Sequence, residues 1–489
     1  MVVGTTSHAG KSLIATAICC MLWRRGWRVA PFKGQNMALN AYITPDGHEI
    51  GHAQAVQAWA AGVTPRVEMN PILLKPQGDM TSQVVLNGRA VGRTHASDYY
   101  EQYFQPGWQA IEQALAALGR DCDLIVAEGA GSPAEINLKH RDLTNMRVAR
   151  HLNAATLLVA DIDRGGAFAH IVGTLELLDP AERALMRGVA INKFRGQRAL
   201  LEPGLRWLQE RTGLAVTGVL PWQDRAFPAE DSLSLPERST GRGDAELTLC
   251  VIRLPRIANF TDFEPLEAEA SVALRYCEPH DTLGQPDAVI LPGSKTTLAD
   301  LEALQASGMA AQLQHYAARG GRILGICGGF QMLGRTLADP QGREGKTGCH
   351  PGLDLLPLET AIEPDKVARQ RRTRARWPQL GLTVAGYEIH QGQTRASEPA
   401  NGLQPLFDDP DLGACNAAGT VGGCYLHGIF DNGPWRRAWL NALRRARGLP
   451  ELAVEVADHH QQREATLDAI ADWGETYLDL TPLLPDAHE

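Results

Sequence analysis

The stretch GTTSHAGKS, residues 4–12, follows three opening residues (Met1, Val2, Val3) and precedes an apolar run that extends to Trp23. Small residues let backbone N–H groups converge on an anion, and a helix N-terminus behind them adds a favourable dipole. In such a cradle Gly4, Thr5, Thr6 and Gly10 would line the phosphates of ATP. Lys11 would neutralise their charge, and the Ser12 hydroxyl would ligate Mg²⁺. The loop is one residue longer than the usual spacing before Gly-Lys-Ser. A phosphate loop between a strand and a helix commits this part of the chain to a parallel α/β sheet.

Outward from the loop, short β-type runs alternate with helical segments. Strands are expected at 28–31, 124–127, 156–159, 189–191 and 216–219, and helices at 12–25, 108–118 and 201–211. Between residues 224 and 244 the pattern dissolves into Pro, Ser, Gly and charge, the composition of a linker. A second α/β pattern starts at Leu247, with strands expected at 288–291, 322–325 and 422–426. The expected organisation is therefore a nucleotide-binding domain at 1–224, a linker at 225–246, a second α/β domain at 247–440 and a helical extension at 441–489.

A net charge of −9 argues against a nucleic-acid partner, which needs a basic face. The basic run at 369–376 reads as a solvated loop. Nine cysteines without a C-x-x-C pair suit reduced thiols and a cytoplasmic setting. The apolar run at 13–23 lacks a basic leader and reads as a buried helix, and no stretch is long enough to span a bilayer.

Further charged groups fall at strand ends, where open parallel sheets bind ligands. Glu128, in LIVAEGAGS, is the leading second ligand for Mg²⁺; Glu49 and Asp46, in TPDGHEIG, are weaker ones. Lys33, in PFKGQN, would add positive charge near a transferring phosphoryl group.

The second domain carries a different signal. RILGICGGF (322–330) leads an apolar strand into G-x-C-x-G, the thiol form of a nucleophile elbow, which presents Cys327 at a strained turn. The N–H of Gly328 and a turn at Gly293, in LPGSKTT, would form an oxyanion hole. His427, in GCYLHGIF, ends another strand and is the candidate base.

The longer phosphate loop resembles that of dethiobiotin synthetase, and the Cys–His pair resembles class I glutamine amidotransferases. Many of those carry Glu two residues after the His, where this chain has Ile429. The pair therefore acts either as a dyad or with a group from elsewhere, Glu388 being one candidate. His390 is expected to be structural or substrate-facing, and His459 and His460 to be surface residues.

Longer strings narrow the family. PFKGQNMALNAYITPDGHEIGHAQAVQA (31–58), MNPILLKPQGD (69–79), EGAGSPAEINLKHRDLTNMRVA (128–149), VADIDRGGAFA (159–169) and INKFRG (191–196) resemble the cobyric acid synthases across both domains. His8 departs from the acidic residue expected there. The resemblance implies amidation of the b, d, e and g carboxylates of adenosylcobyrinic acid a,c-diamide, a corrinoid. Each amidation would use one ATP with Mg²⁺ and one L-glutamine, and no bound prosthetic group is implied. It also implies that Asp142, Asn145, Asp161 and Asp163 belong to the synthetase site and that Asn192 hydrogen-bonds the adenine. No membrane partner is expected, and a homo-oligomer stays open. Two rivals remain at this point. One is cobyrinic acid a,c-diamide synthase; the other is a partitioning-type ATPase bearing a dead glutaminase module.

Overall fold

The computed structural model describes residues 1–78, 80–223, 245–344, 347–397 and 402–484. Residues 225–244 of the expected linker lie outside the described residues.

The first sheet is parallel. Strands Val2–Gly4, Thr156–Asp161, Met186–Phe194 and Ala215–Pro221 lie side by side in that order. A parallel bridge from Val2 to Glu128 joins the first of them to Leu124–Ala127, which pairs with Val29–Phe32. These strands are buried on both faces, as crossover helices require, so they read as apolar runs without alternation. The helix Lys11–Arg24 covers one face and buries Ile14, Ile18 and Met21. Each such side chain contributes roughly 1.5–3 kcal/mol by leaving water.

An antiparallel ladder, Ile72–Gly78 with Thr81–Leu86 and Arg89–His95, projects from the first domain. Another helix, Tyr99–Asp121, contains Pro106 and begins nine residues before the expected start at 108.

The second domain centres on a seven-stranded sheet. Its first five strands, Val272–Cys277, Leu247–Ile252, Ala288–Leu291, Ile323–Ile326 and Val421–Cys424, run parallel. A long antiparallel hairpin, Leu358–Arg374 with Thr383–Ala396, belongs to a separate four-stranded sheet and meets the first domain. The basic run at 369–376 is thus mostly strand, not a solvated loop: Arg369 and Arg371 both pair with Glu388.

The expected helical extension is divided between the domains. The helix Gly433–Ala446 packs on the second core through Trp435, Trp439 and Leu443. The helix His459–Tyr477 returns to the first domain, where Leu467, Ile470 and Trp473 share a core with Ile14 and Met21. Leu478 then bridges Gly218 at the sheet edge.

Candidate active sites

At the end of Val2–Gly4 the chain turns through the phosphate loop, anchored by a bond from Thr5 N to Val159 O at 2.9 Å. Gly10 caps the helix at φ 95°, and a Cβ there would lie 2.1 Å from Asn192 Nδ2. Only glycine meets both conditions. Lys11 Nζ donates to Thr6 O and Gly131 O, both at 3.1 Å, which bends its side chain back over the loop. Thr5 Oγ1 is buried without a partner among the described residues, a polar atom left over in a loop built for an anion. His8 sits exposed at the loop tip with φ 59°.

Glu128 joins this loop to the neighbouring strand. Its Oε1 accepts from Ser12 Oγ and from Lys33 Nζ, each at 2.8 Å, and its Oε2 accepts from Gln57 Nε2 at 2.6 Å. Burial would push the Glu128 carboxyl up, but Lys33, Gln57 and Ser12 outweigh it and hold it below the ordinary range. The pair Ser12–Glu128 fits Mg²⁺. Both are hard oxygen donors, a hydroxyl and an ionised carboxylate, of the kind that Mg²⁺ takes. Mg²⁺ commonly takes few protein ligands and completes its shell with phosphate and water.

Other expected residues divide. Asn145 Nδ2 donates to Ala130 O at 2.7 Å, beside the Gly131 carbonyl that holds Lys11. Asp142 faces inward to its own chain, accepting from the N–H groups of Thr144, Asn145 and Arg147 ahead of the short helix Met146–His151. Asp161, at its strand end, pairs with Lys193 at 2.8 Å, and Asp163 with Arg195 at 3.2 Å. Asn192 donates to Ala9 O at 2.9 Å, which ties its strand end to the phosphate loop.

Glu49 is not brought to the phosphate loop. Its oxygens hold Lys75 at 2.7 Å and Lys366 from the second domain's hairpin. Burial would raise its pKa, but the two ammonium groups overcome that and bring it to about 2. A carboxylate with an ammonium on each oxygen is an interdomain ion pair, not a metal ligand. Asp46 is exposed.

In the second domain Cys327 stands between Ile323–Ile326 and the short helix Gly328–Met332, at φ 50° and ψ −109°. A non-glycine residue there stores of the order of 1–3 kcal/mol of strain. The turn is held from behind: a Cβ on Gly329 would lie 2.0 Å from Leu291 O, so only glycine lets the two segments touch. Gly328 packs against Ser294, and Gly293 against His427, so the two expected oxyanion turns lie against each other beside Cys327.

His427 Nδ1 meets Asp262 Oδ2 at 2.7 Å, and Gly428 N donates to Asp262 Oδ1 at 2.8 Å. Burial would lower the imidazole's pKa, but the Asp262 carboxylate and the neighbouring Cys327 outweigh it and raise it to about 10. Asp262 is therefore the third member of the group. Glu388, the candidate from sequence, is turned to Arg369, Arg371 and His390. His390 stacks on Tyr425 at 3.7 Å and bonds Gly392 O, a structural placement at the cavity wall. His460 is exposed, whereas His459 is half-buried.

Cys327 and His427 line a small cavity of about 30 Å³, room for roughly one water. Lys75, from the first domain, shares its wall, as do Lys295 and Lys366. Burial, then the Lys366 and Lys75 ammonium groups, push Lys295 down to about 7. Among the described residues no cluster of three or more metal-ligating side chains occurs, and no helix is long and apolar enough to cross a membrane.

Comparison with known proteins follows this division. Residues 1–234 match the CobQ/CobB/MinD/ParA nucleotide binding domain, and residues 248–435 match the CobB/CobQ-like glutamine amidotransferase domain. A nucleotide-binding fold joined to a glutamine amidotransferase defines a glutamine-dependent, amide-forming ligase. The chain is 66% identical over 488 residues to a cobyric acid synthase of Nostoc sp. (strain PCC 7120 / SAG 25.82 / UTEX 2576), covering 99% of both chains. It is 64% identical over 484 residues to one of Synechococcus elongatus (strain ATCC 33912 / PCC 7942 / FACHB-805), again covering 99% of each. The chain belongs to the cobyric acid synthase family.

Proposed function

We propose that this chain amidates the b, d, e and g carboxylates of adenosylcobyrinic acid a,c-diamide in the cytoplasm, using ATP, Mg²⁺ and glutamine. The first domain, 1–224 together with the returning helix His459–Tyr477, would activate the carboxylate. The second, from residue 247 through the helix Gly433–Ala446, would supply ammonia.

A carboxylate resists nucleophiles because of its own charge. Phosphoryl transfer from ATP makes it an acyl phosphate, and ammonia then displaces phosphate. Ser12 and Glu128 would hold Mg²⁺, which supplies positive charge at the phosphate oxygens. Lys11, bent over the loop, would follow the transferring group. Lys33 keeps Glu128 ionised.

At the other centre Cys327 attacks the glutamine amide, with the backbone at Gly293 and Gly328 facing the developing oxyanion. His427, oriented by Asp262, passes its proton to the departing ammonia. Water then releases glutamate.

The observation that carries this reading is one chain in which Ser12–Glu128–Lys33 and Cys327–His427–Asp262 stand in two docked domains. The full-length identity to cobyric acid synthases favours this substrate over cobyrinic acid or a non-catalytic switch. The test is mass spectrometry of the corrinoid after incubation with ATP, Mg²⁺ and glutamine. Each conversion lowers the mass by about one unit, so four steps are expected from the acyl phosphate chemistry. An unchanged a,c-diamide, or amidation of cobyrinic acid instead, overturns the proposal.

A further inference from the structure

Asp262 sets the orientation of His427, yet it rides on a single 3₁₀ turn, Phe260–Phe263. A turn this short has too few internal bonds to fix its own position. Phe260 and Phe263 seat it in the second core and it runs on into the short helix Glu264–Glu267, while its leading backbone is bonded by the other domain. Phe260 N donates to Asn40 Oδ1 at 3.0 Å, and Ala41 N donates in return to Asn259 Oδ1 at 3.0 Å. Each domain's asparagine side chain thus satisfies the other domain's backbone. Asn40 and Asn259 are both about 2% exposed, so water cannot substitute for either bond. Asn259 itself is held in the left-handed region at φ 53°.

The same short segment also reaches the imidazole from its other side. The Tyr387 hydroxyl donates to Ala41 O at 2.9 Å and accepts from Asn259 Nδ2 at 3.3 Å. The Tyr387 ring stacks on His427 at 5.4 Å and 21°, and the two residues exchange backbone hydrogen bonds of 3.1 and 2.9 Å. Residues 40–41 of the nucleotide domain therefore touch both supports of the imidazole: the turn that carries Asp262 and the ring that lies against His427. A plain docking contact would need buried area only and would not converge on these two supports.

We infer that Asn40 is a positioning residue for the glutaminase group, supplied by the synthetase domain, so that the Cys–His–Asp geometry is complete only while the domains are docked. The inference rests on Cys327 being the glutaminase nucleophile. If the parent enzyme hydrolyses no glutamine, that reading fails. If an active parent and Asn40→Ala hydrolyse it equally, only the positioning role fails.

The experiment uses the full chain carrying Asn40→Ala, assayed in parallel with glutamine and with ammonium chloride as nitrogen source. Displacement of a supporting group by an ångström can cost about 100-fold. The kcat for glutamine hydrolysis should therefore fall about 10- to 100-fold, with KM and ammonium-supported synthesis within about twofold. Tyr387→Phe removes the hydroxyl, and with it the bonds to Ala41 O and from Asn259 Nδ2, and should lower the same kcat about threefold or more. The double variant should fall short of the product of the two effects, because both act on one brace. A hydrolysis rate in Asn40→Ala within about threefold of the parent overturns the inference. So does loss of both nitrogen sources together in Asn40→Ala when Tyr387→Phe is unaffected, because the residue is then merely structural.

Discussion

The two centres are assembled in opposite ways. Around Glu128 every partner, Ser12, Lys33 and Gln57, belongs to the same domain, and each is fixed by a strand end or helix of one parallel sheet. Around His427 the partner Asp262 sits on a short turn whose leading N–H, from Phe260, is bonded by Asn40 of the other domain. A centre that is complete within its domain can fire on its own. A centre braced from outside can be made conditional, and the conditional one here releases ammonia, which is wasted unless an activated carboxylate waits for it.

The sharpest way to break this contrast is Cys327→Ser. Glutamine-dependent synthesis should drop about 10⁴-fold or more, while synthesis from ammonium salt persists and rises with pH as NH₃ replaces NH₄⁺. Equal loss of both activities in a folded variant would contradict two separable centres. Lys11→Ala is the mirror experiment: synthesis should fall about 10²–10³-fold with either nitrogen source, measured as corrinoid amide formed. Near-parental turnover would make the phosphate loop structural.

The ion pair across the domain boundary sharpens the comparison through stability. The Glu49 carboxyl is lowered from 4.5 to about 2, so its contribution is complete above pH 4.5 and fades as pH falls toward 2. A shift of that size corresponds to about 3 kcal/mol. Urea midpoints between about pH 6 and 3 should fall less steeply with acid in Glu49→Gln than in the parent, on a lower overall stability, since two buried ammonium groups lose their partner. The same acid dependence in both proteins would remove Glu49 from the interface account. The smallest effect is expected from Asp262→Asn. Without the carboxylate, His427 drops from about 10 toward its ordinary value, and glutamine hydrolysis should slow about 10- to 100-fold. Unchanged hydrolysis would leave Cys327 and His427 as a dyad.

What the sequence reveals follows the same contrast. Signals confined to one strand end and its turn were legible: the strand at 124–127 lies where expected, with Glu128 and Ser12 in contact at its end. Cys327 and His427 were legible because glycine-flanked strand ends need close backbone approach. Asp262 was not. It lies in NFTDFEPL, which has neither a motif nor a strand, and a carboxylate that orients an imidazole need be near it only in space. Glu388, the candidate from sequence, is claimed by arginines two positions apart on the opposing strand. Glu49 was misplaced for a related reason: local sequence shows a carboxylate after a turn but not the lysines that reach it from residues 75 and 366. The hairpin at 358–396 was hidden because charge on its exposed face obscures alternation.

The helix His459–Tyr477 has a consequence for how the protein is made. Its Leu467, Ile470 and Trp473 complete the hydrophobic core that begins with Ile14 and Met21. About 435 residues separate the two helices along the chain, which at 5–20 residues per second is roughly 20–90 s of translation. Throughout that interval the nascent nucleotide domain lacks one wall, and an apolar face of Lys11–Arg24 waits at the ribosome for its cover. The ammonia-producing domain, whose own core is contiguous from Leu247 to Leu443, finishes first. In the order of synthesis, the domain begun first is sealed last, and truncation near the C-terminus damages the ATP end of the molecule.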